Sequence, residues 1–116
     1  MTTRRIRTFL PLLKHLQRLP ERAKKQYIKT SDKQLLDAIS ECCVNILNGC
    51  IPLTSNQKEK LRRNKTNLRQ VSSKRTSLTK KRAILQKGGF LSAILTPALS
   101  LLGGLLTSTV LGGGRQ

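Results

Sequence analysis

Apolar residues recur at three- and four-residue steps along much of the chain, which is the spacing of one face of an α-helix. The clearest series lies in residues 31–50. Ser31 and Gln34 form a capping-box pattern at its start, and Gly49 supplies the left-handed residue that commonly ends a helix. The spacing therefore predicts a near-neutral packing helix with an apolar face of Leu35, Leu36, Ile39, Cys42, Cys43, Ile46 and Leu47.

Residues 1–30 carry shorter amphipathic patterns with basic residues between the apolar ones. The apolar spacing in residues 6–16 predicts a first helix that is kinked at Pro11. Pro20 can occupy the first position of a second helix, which should stop near Thr30. We expect this part to form basic amphipathic N-terminal helices.

Residues 51–87 combine a narrow apolar stripe with many basic residues. Thr54 and Gln57 repeat the capping-box pattern, and a Ser- and Thr-containing hinge over residues 72–77 separates a longer helix from a last short one. The sequence predicts two basic helices here. Their shared apolar stripe comprises Leu61, Leu68, Val71, Leu78, Ile84 and Leu85.

The C-terminal residues 88–116 form an apolar, Gly-rich segment that is uncharged from Gly88 through Gly114. As a helix, residues 90–111 would span roughly 33 Å, close to the ~30 Å hydrocarbon thickness of a membrane. The segment could insert into a membrane, or it could pack on residues 31–48 within one core. A series of small residues every four positions favours close helix association; it comprises Ser92, Thr96, Ser100, Gly104, Ser108 and Gly112.

These patterns together predict an all-α protein of four or five short amphipathic and basic helices, followed by the apolar C-terminal segment. The charge of the chain adds information about its partner. The chain has 23 Lys and Arg against 5 Asp and Glu, a formal net charge of +18, and every basic residue except Arg115 lies at or before Lys87. Such a chain repels itself unless anions gather around it, which indicates a polyanionic partner.

Residues 58–87 hold the densest basic stretch, with Glu59 as its one acid. Phosphate contacts of this kind give strong, salt-dependent binding that carries no sequence information. We therefore predict non-specific binding of double-stranded DNA. The candidate phosphate-contacting residues are Lys58, Lys60, Arg62, Arg63, Lys65, Arg69, Lys74, Arg75, Lys80, Lys81, Arg82 and Lys87.

The chain has few residues of the types that catalyse reactions, namely one histidine, His15, and five acids. We expect no enzymatic activity, no cofactor and no metal. Cys42, Cys43 and Cys50 lack the two-residue ligand spacing of zinc sites and are expected to be structural thiols. Their odd number and the absence of a signal-peptide pattern predict an intracellular, non-secreted protein, with a mitochondrial presequence over residues 2–19 as the other option.

The basic helix that ends in Lys80-Lys81-Arg82 passes through Gln86-Lys87-Gly88-Gly89-Phe90-Leu91 into the apolar segment. In this order of features the chain resembles the precursor of adenovirus core protein X, or mu. The run from Asn48 to Thr54, followed by basic helices and this tail, is similar to short proteins of adenovirus-related elements, namely adintoviruses, Mavericks or Polintons, and adomaviruses. The similarity covers roughly residues 31–116.

The resemblance implies a minor virion or core protein that condenses DNA in the virion and the host nucleus. It also implies proteolytic processing after Gly-Gly pairs that follow a large aliphatic residue and one further residue, with Gly89, Gly104 and Gly114 as candidate sites. Gln86 departs from this pattern at the aliphatic position before Gly89.

Two other functions remain open. In the first, the protein is membrane-active or tail-anchored, with residues 90–111 inserted and the basic part attracted to anionic lipid. It could also self-associate or contact capsid proteins through the tail. In the second, it is a ribosomal-type RNA-binding protein, although an exposed apolar tail would be a liability there.

Overall fold

A computed structural model describes residues 3–100, and these residues are helical with no strand among them. The all-α fold class is confirmed, although the described residues form more helices than the four or five expected, because two predicted helices are divided and residues 90–100 form another. The helices are α1 (Arg4–Thr8), α2 (Leu10–Arg18), α3 (Glu21–Lys29), α4 (Lys33–Leu47), α5 (Ser55–Arg63), α6 (Lys65–Ser72), α7 (Leu78–Leu85) and α8, which covers residues 90–100 as far as the structure describes it.

The N-terminal helix is interrupted, not merely kinked. Pro11 occupies the first turn of α2, where a residue without an N–H is tolerated, and its ring would collide with the preceding turn of a continuous helix. Phe9 therefore lies between α1 and α2, with its N–H bonded to the Arg5 carbonyl and its own carbonyl accepting from Leu13. The predicted stop of the next helix at Thr30 is confirmed, since α3 ends at Lys29.

The start of α4 differs from the sequence prediction by one residue. Asp32 is the capping residue, because its carboxylate accepts the Leu35 N–H at 3.0 Å. Ser31 instead donates its hydroxyl to the Ile28 carbonyl at 2.7 Å, which closes α3. The predicted left-handed residue after α4 is confirmed, since Gly49 has a φ of 71°.

The longer basic helix is divided at Asn64 into α5 and α6. Its start is as predicted, because Thr54 and Gln57 form the complete capping box. At the break, the Asn64 side chain donates to the Lys60 carbonyl at 2.9 Å and so satisfies an end group of α5. Ser77 caps the start of α7, because its hydroxyl accepts the Lys80 N–H at 3.2 Å.

The core is one apolar cluster with α4 at its centre, since α4 packs against α1, α6 and α7. The predicted apolar face of α4 is confirmed: Leu47 is partly buried, and the face is otherwise buried. Glu41 is not one of the residues of this apolar face, yet it is also buried, with its side chain 6% exposed. The stripe of α5, α6 and α7 is also buried, except for the partly buried Leu78.

Helix α8 belongs to this same core. Its apolar side chains are buried, whereas Thr96 and Ser100 are exposed. For residues 90–100, the structure therefore agrees with the prediction that the apolar segment packs as part of the core and not with insertion into a membrane. The remaining part of that segment, residues 101–116, lies outside the described residues. The buried side chains of α8 are Phe90, Leu91, Ala93, Ile94, Leu95, Pro97, Ala98 and Leu99.

Candidate nucleic-acid interface

The candidate interface lies on α5, α6, α7 and the segments that connect them. Leu61, Leu68 and Val71 bury the apolar stripe of α5 and α6, which leaves most basic side chains on the opposite, solvent side. Ten of the predicted contact residues are exposed; they are Lys58, Lys60, Arg62, Arg63, Lys65, Arg69, Lys74, Arg75, Lys80 and Lys87. We call these ten residues the basic surface.

Two predicted contact residues do not belong to this exposed set. Lys81 is 5% exposed, and its ammonium donates to the Ser40 hydroxyl at 3.3 Å. Arg82 is half-buried and donates twice to the Ser31 carbonyl, from Nε at 3.0 Å and from Nη2 at 2.8 Å. It thereby joins α7 to the start of α4. Both side chains therefore make contacts within the protein that the exposed cations do not make, and their contact with phosphate stays a prediction.

The burial of Lys81 is indicated by its position in the sequence. Lys81 follows Leu78 by three residues and precedes Leu85 by four, so it lies on the apolar stripe of α7. Its burial lowers its pKa, and the charge of Asp37 acts in the opposite direction. Helical spacing therefore distinguishes Lys81 from Lys80, which is its exposed neighbour.

The acidic residue within the basic surface does little to neutralise it. Glu59 accepts from Arg62 Nη2 at 2.6 Å and lies 3.6 Å from Arg63 Nε, so one carboxylate serves two guanidinium groups. Such exposed pairs contribute little to stability, typically below about 1 kcal/mol, and can be exchanged for phosphate contacts. The basic surface therefore keeps a strong positive potential.

The other acids are also engaged. Glu41 accepts the backbone N–H groups of Arg5 and Ile6, Asp32 caps α4, and Asp37 accepts from Lys33 at 2.7 Å. The basic side chains have few such partners. Among the described residues, the Lys and Arg side chains are exposed apart from Lys14, Lys24, Lys81 and Arg82.

The structure adds α1 to the neighbourhood of the basic surface. Arg5 of α1 and Lys74, which follows α6, line one cavity of about 330 Å³ between their helices and α4. Arg4 and Arg5 also line an adjacent cavity of about 330 Å³. The sequence analysis omitted these two arginines from the contact residues, because nothing local indicates that Arg5 and Lys74, which are 69 positions apart, line the same cavity.

The candidate processing site at Gly89 lies in the turn before α8. Gly89 has a φ of 78°, and its N–H donates to Glu21 Oε2 of α3 at 3.3 Å. Ser92 donates to the other oxygen of Glu21 at 3.2 Å and accepts from Lys24 at 2.5 Å. This network of polar contacts fixes the start of α8 against α3. Gly104 and Gly114, the other candidate sites, lie outside the described residues.

Partial burial alone would raise the pKa of Glu21. The Gly89 N–H, the charge of Lys24 and the Ser92 hydroxyl together outweigh it and hold that pKa below its usual value. Glu21 is therefore ionised at neutral pH and serves as the acceptor of this network.

The thiols are placed as the sequence predicts for two of three cysteines. Cys42 and Cys43 are fully buried on α4, where burial raises the pKa of Cys42 to about 12 and that of Cys43 well above its usual value. Cys50 is half-buried beyond the end of the helix. In the described part of the chain, no three His, Cys, Asp or Glu residues form a group that could hold a metal ion.

None of the helices that the structure describes has the length and apolar character needed to cross a membrane. The first half of the proposed membrane segment, residues 90–100, is occupied in the core. Comparison with known proteins gives no match: no protein-family model, no curated protein and no solved structure is similar to this chain.

Proposed function

We propose that the protein binds and condenses double-stranded DNA without sequence preference, through the basic surface, and acts without catalysing a reaction. One observation carries the proposal. The basic surface presents ten exposed cations, with Glu59 as the one acid in the same stretch. Duplex DNA carries one negative charge per ~1.7 Å and can therefore offer phosphates to many such cations at once.

The absence of sequence preference follows from the chemistry of the surface. Base readout needs an element that enters a groove or aromatic side chains that stack on bases. The aromatic residues of the described chain lie outside the basic surface; Phe90 is buried, and Phe9 and Tyr27 are half-buried. The surface therefore offers phosphate contacts, which position a duplex but do not read it.

The choice of DNA and of a virion or core location rests on the resemblance to adenoviral core proteins. Charge alone supports any extended polyanion. We propose a minor virion or core protein that acts in the virion and the host nucleus. Processing after Gly89 is part of the proposal only if α8 can leave the core, because Phe90 directly follows the bond and is 2% exposed.

The experiment is a salt titration of binding to a duplex of random sequence. Ten phosphate contacts predict a log-log slope of about −9, taking ~0.9 per contact. A variant with Lys58, Lys65, Arg69 and Lys80 changed to Gln should reduce the magnitude of that slope by about 3.6. These four side chains are exposed, and none has a carboxylate within 4.0 Å among the described residues.

The matched control changes four exposed cations of α2 and α3 and so has the same net charge. It carries Arg18→Gln, Arg22→Gln, Lys25→Gln and Lys29→Gln, and its slope should move by less than about one unit. Equal losses in the two variants would mean that net charge, and not this surface, binds DNA. Binding that is insensitive to salt between ~50 and 200 mM, or that prefers one sequence by more than tenfold, would contradict the proposal itself.

A further inference from the structure

A cavity of about 330 Å³ opens between α1, α4 and the segment that joins α6 to α7. Lys81 lines this cavity and is buried, with 5% of the residue exposed. Arg5 and Lys74 line the same cavity, and both side chains are exposed. Three cationic side chains from three separate parts of the chain therefore converge on one space that is large enough for a small ligand.

The Lys81 ammonium lacks an anionic partner within 4.0 Å in the described part of the chain. Its hydrogen bond goes to the Ser40 hydroxyl, at 3.3 Å. That hydroxyl lies 2.8 Å from the carbonyl oxygens of both Leu36 and Val71, so its own hydrogen is already engaged by the backbone. An ammonium has three donors, and a buried cation without a counter-ion is costly. Lys81 is therefore suited to receive an anion.

Neither carboxylate at the cavity lies within 4.0 Å of the Lys81 ammonium, although the charge of Asp37 acts on it from a greater distance, and both accept from other donors. Glu41 Oε1 accepts the N–H groups of Arg5 and Ile6 at 3.1 and 3.3 Å, and its Oε2 lies 4.0 Å from the Arg5 guanidinium. Asp37 accepts from Lys33 at 2.7 Å. The lining thus holds three cations against two carboxylates, both of which already accept from other donors, and it keeps a net positive charge.

We propose that this cavity binds one phosphate group, with Lys81 as the buried contact and Arg5 and Lys74 as the contacts at its mouth. A tetrahedral dianion presents several oxygens at once and can therefore accept from cations that approach from different helices. A phosphodiester in the middle of a duplex is less able to enter a recessed site. The ligand is thus free phosphate or a terminal phosphomonoester of a nucleic acid.

The test is a titration of the full chain with inorganic phosphate at constant ionic strength, followed by amide NMR. Saturable shifts are expected at Ser40, Ser72 and Lys74, which line the cavity. Lys81→Met keeps the length and apolar stem of the side chain but removes a charged hydrogen bond, and should weaken phosphate binding about tenfold or more. Lys80→Gln, at an exposed position of the same helix, is the control and should bind as the wild type does.

A second variant keeps the test decisive if Lys81→Met alters the core. Lys74→Gln changes an exposed side chain and should also weaken phosphate binding, with the helical spectrum unchanged. The proposal is overturned if both variants bind phosphate as tightly as Lys80→Gln does, or if the shifts spread over the basic surface without saturating.

Two short duplexes distinguish the sources of the phosphate group. If a duplex with 5′-terminal phosphates displaces inorganic phosphate and the same duplex with hydroxyl ends does not, the site takes a nucleic-acid terminus. If neither duplex displaces it, the site takes the free anion; either result supports phosphate binding in the cavity. The site is separable from the proposed function, because Lys81→Met should leave the salt slope for long duplex DNA unchanged.

Discussion

Glu41 illustrates how a single buried carboxylate can organise a separate helix. It lies on α4, yet it accepts two N–H groups at the start of α1, where no local side chain caps the helix. The first N–H groups of a helix lack internal partners, and a negative charge there is also favoured by the helix dipole. Glu41 thus attaches the N-terminal arginines to the core.

Glu41→Ala should destabilise the protein by about 1–3 kcal/mol, because it leaves buried donors of α1 unpaired. Glu59→Ala is the matched control, since Glu59 is a partly exposed acid with two ion pairs and should cost less than about 1 kcal/mol. Urea unfolding measures both values. Equal losses would show that the contact between Glu41 and α1 contributes nothing beyond a surface ion pair.

Glu21 makes one contact of α8 dependent on pH. Its pKa in the folded protein is lowered below the usual value of 4.5, so the stabilisation is present above that value and is lost as pH falls through the lowered pKa. The Gly89 amide resonance should shift over the same acidic range, because its N–H donates to Glu21. Glu21→Gln should abolish that titration. A Gly89 shift that persists in Glu21→Gln would assign the effect to another acid.

At the scale of elements, local patterns predict the helix ends that depend on neighbouring residues. The capping box of α5 and the left-handed residue after α4 are both of this kind, and both are confirmed. At α4 the sequence analysis named Ser31 as the cap, although Asp32 beside it is also a residue type that caps helices. Asp32 is the cap because Ser31 is used to close α3. Such competition between neighbouring helices is not visible in a pattern of spacing.

The break at Asn64 is harder to predict. It contains neither Pro nor Gly, and residues 54–72 read as one helix whose apolar positions are simply sparse. The division lets the short helices α5 and α6 each direct a few apolar residues into the core, with the Asn64 side chain satisfying the exposed carbonyl of Lys60. The breaking signal is therefore a side-chain hydrogen bond together with packing, and only the first is local.

Helix α8 is where burial decides between the sequence-based alternatives. Ile94 is fully buried, so Ile94→Ala should cost about 2–5 kcal/mol, a large part of the 5–15 kcal/mol typical of a domain. Thr96→Ala on the exposed side of the same helix should change stability by less than about 0.5 kcal/mol. Thermal unfolding of the two variants checks this. An Ile94→Ala protein as stable as Thr96→Ala would mean that α8 does not belong to the core in solution.

At the scale of the whole molecule, the broad division into apolar core and basic exterior could be predicted from the sequence. Whether each Lys or Arg side chain is exposed or buried could not be predicted in every case. Lys81 and Arg82 belong to the same dense basic run; helical spacing identifies Lys81 as part of the apolar stripe, but nothing local indicates that Arg82 bonds to the Ser31 carbonyl. Arg5 shows the reverse case, since a residue far away in sequence lines the same cavity as Lys74. Contacts over such distances are set by the tertiary fold.

The net charge also predicts a stoichiometry for the proposed DNA complex. A charge of +18 offsets the phosphates of roughly 31 Å of duplex, or about nine base pairs, at one charge per ~1.7 Å. Light scattering from mixtures of protein and long DNA should therefore be greatest near one chain per nine base pairs and fall on either side as the complex regains charge. A maximum at a very different ratio would contradict neutralisation by the whole chain.

The turn at Gly88 and Gly89 has a consequence for the timing of any cleavage there. A protease needs an extended segment in its active site, whereas the residues after this bond are helical and Phe90 is buried. Cleavage must wait for a local opening that releases α8 from α3, and its rate is then set by how rarely that open form is populated. In the proposed processing pathway, the rate of cleavage between Gly89 and Phe90 would therefore depend on the stability of the contacts that hold α8, including those of Glu21.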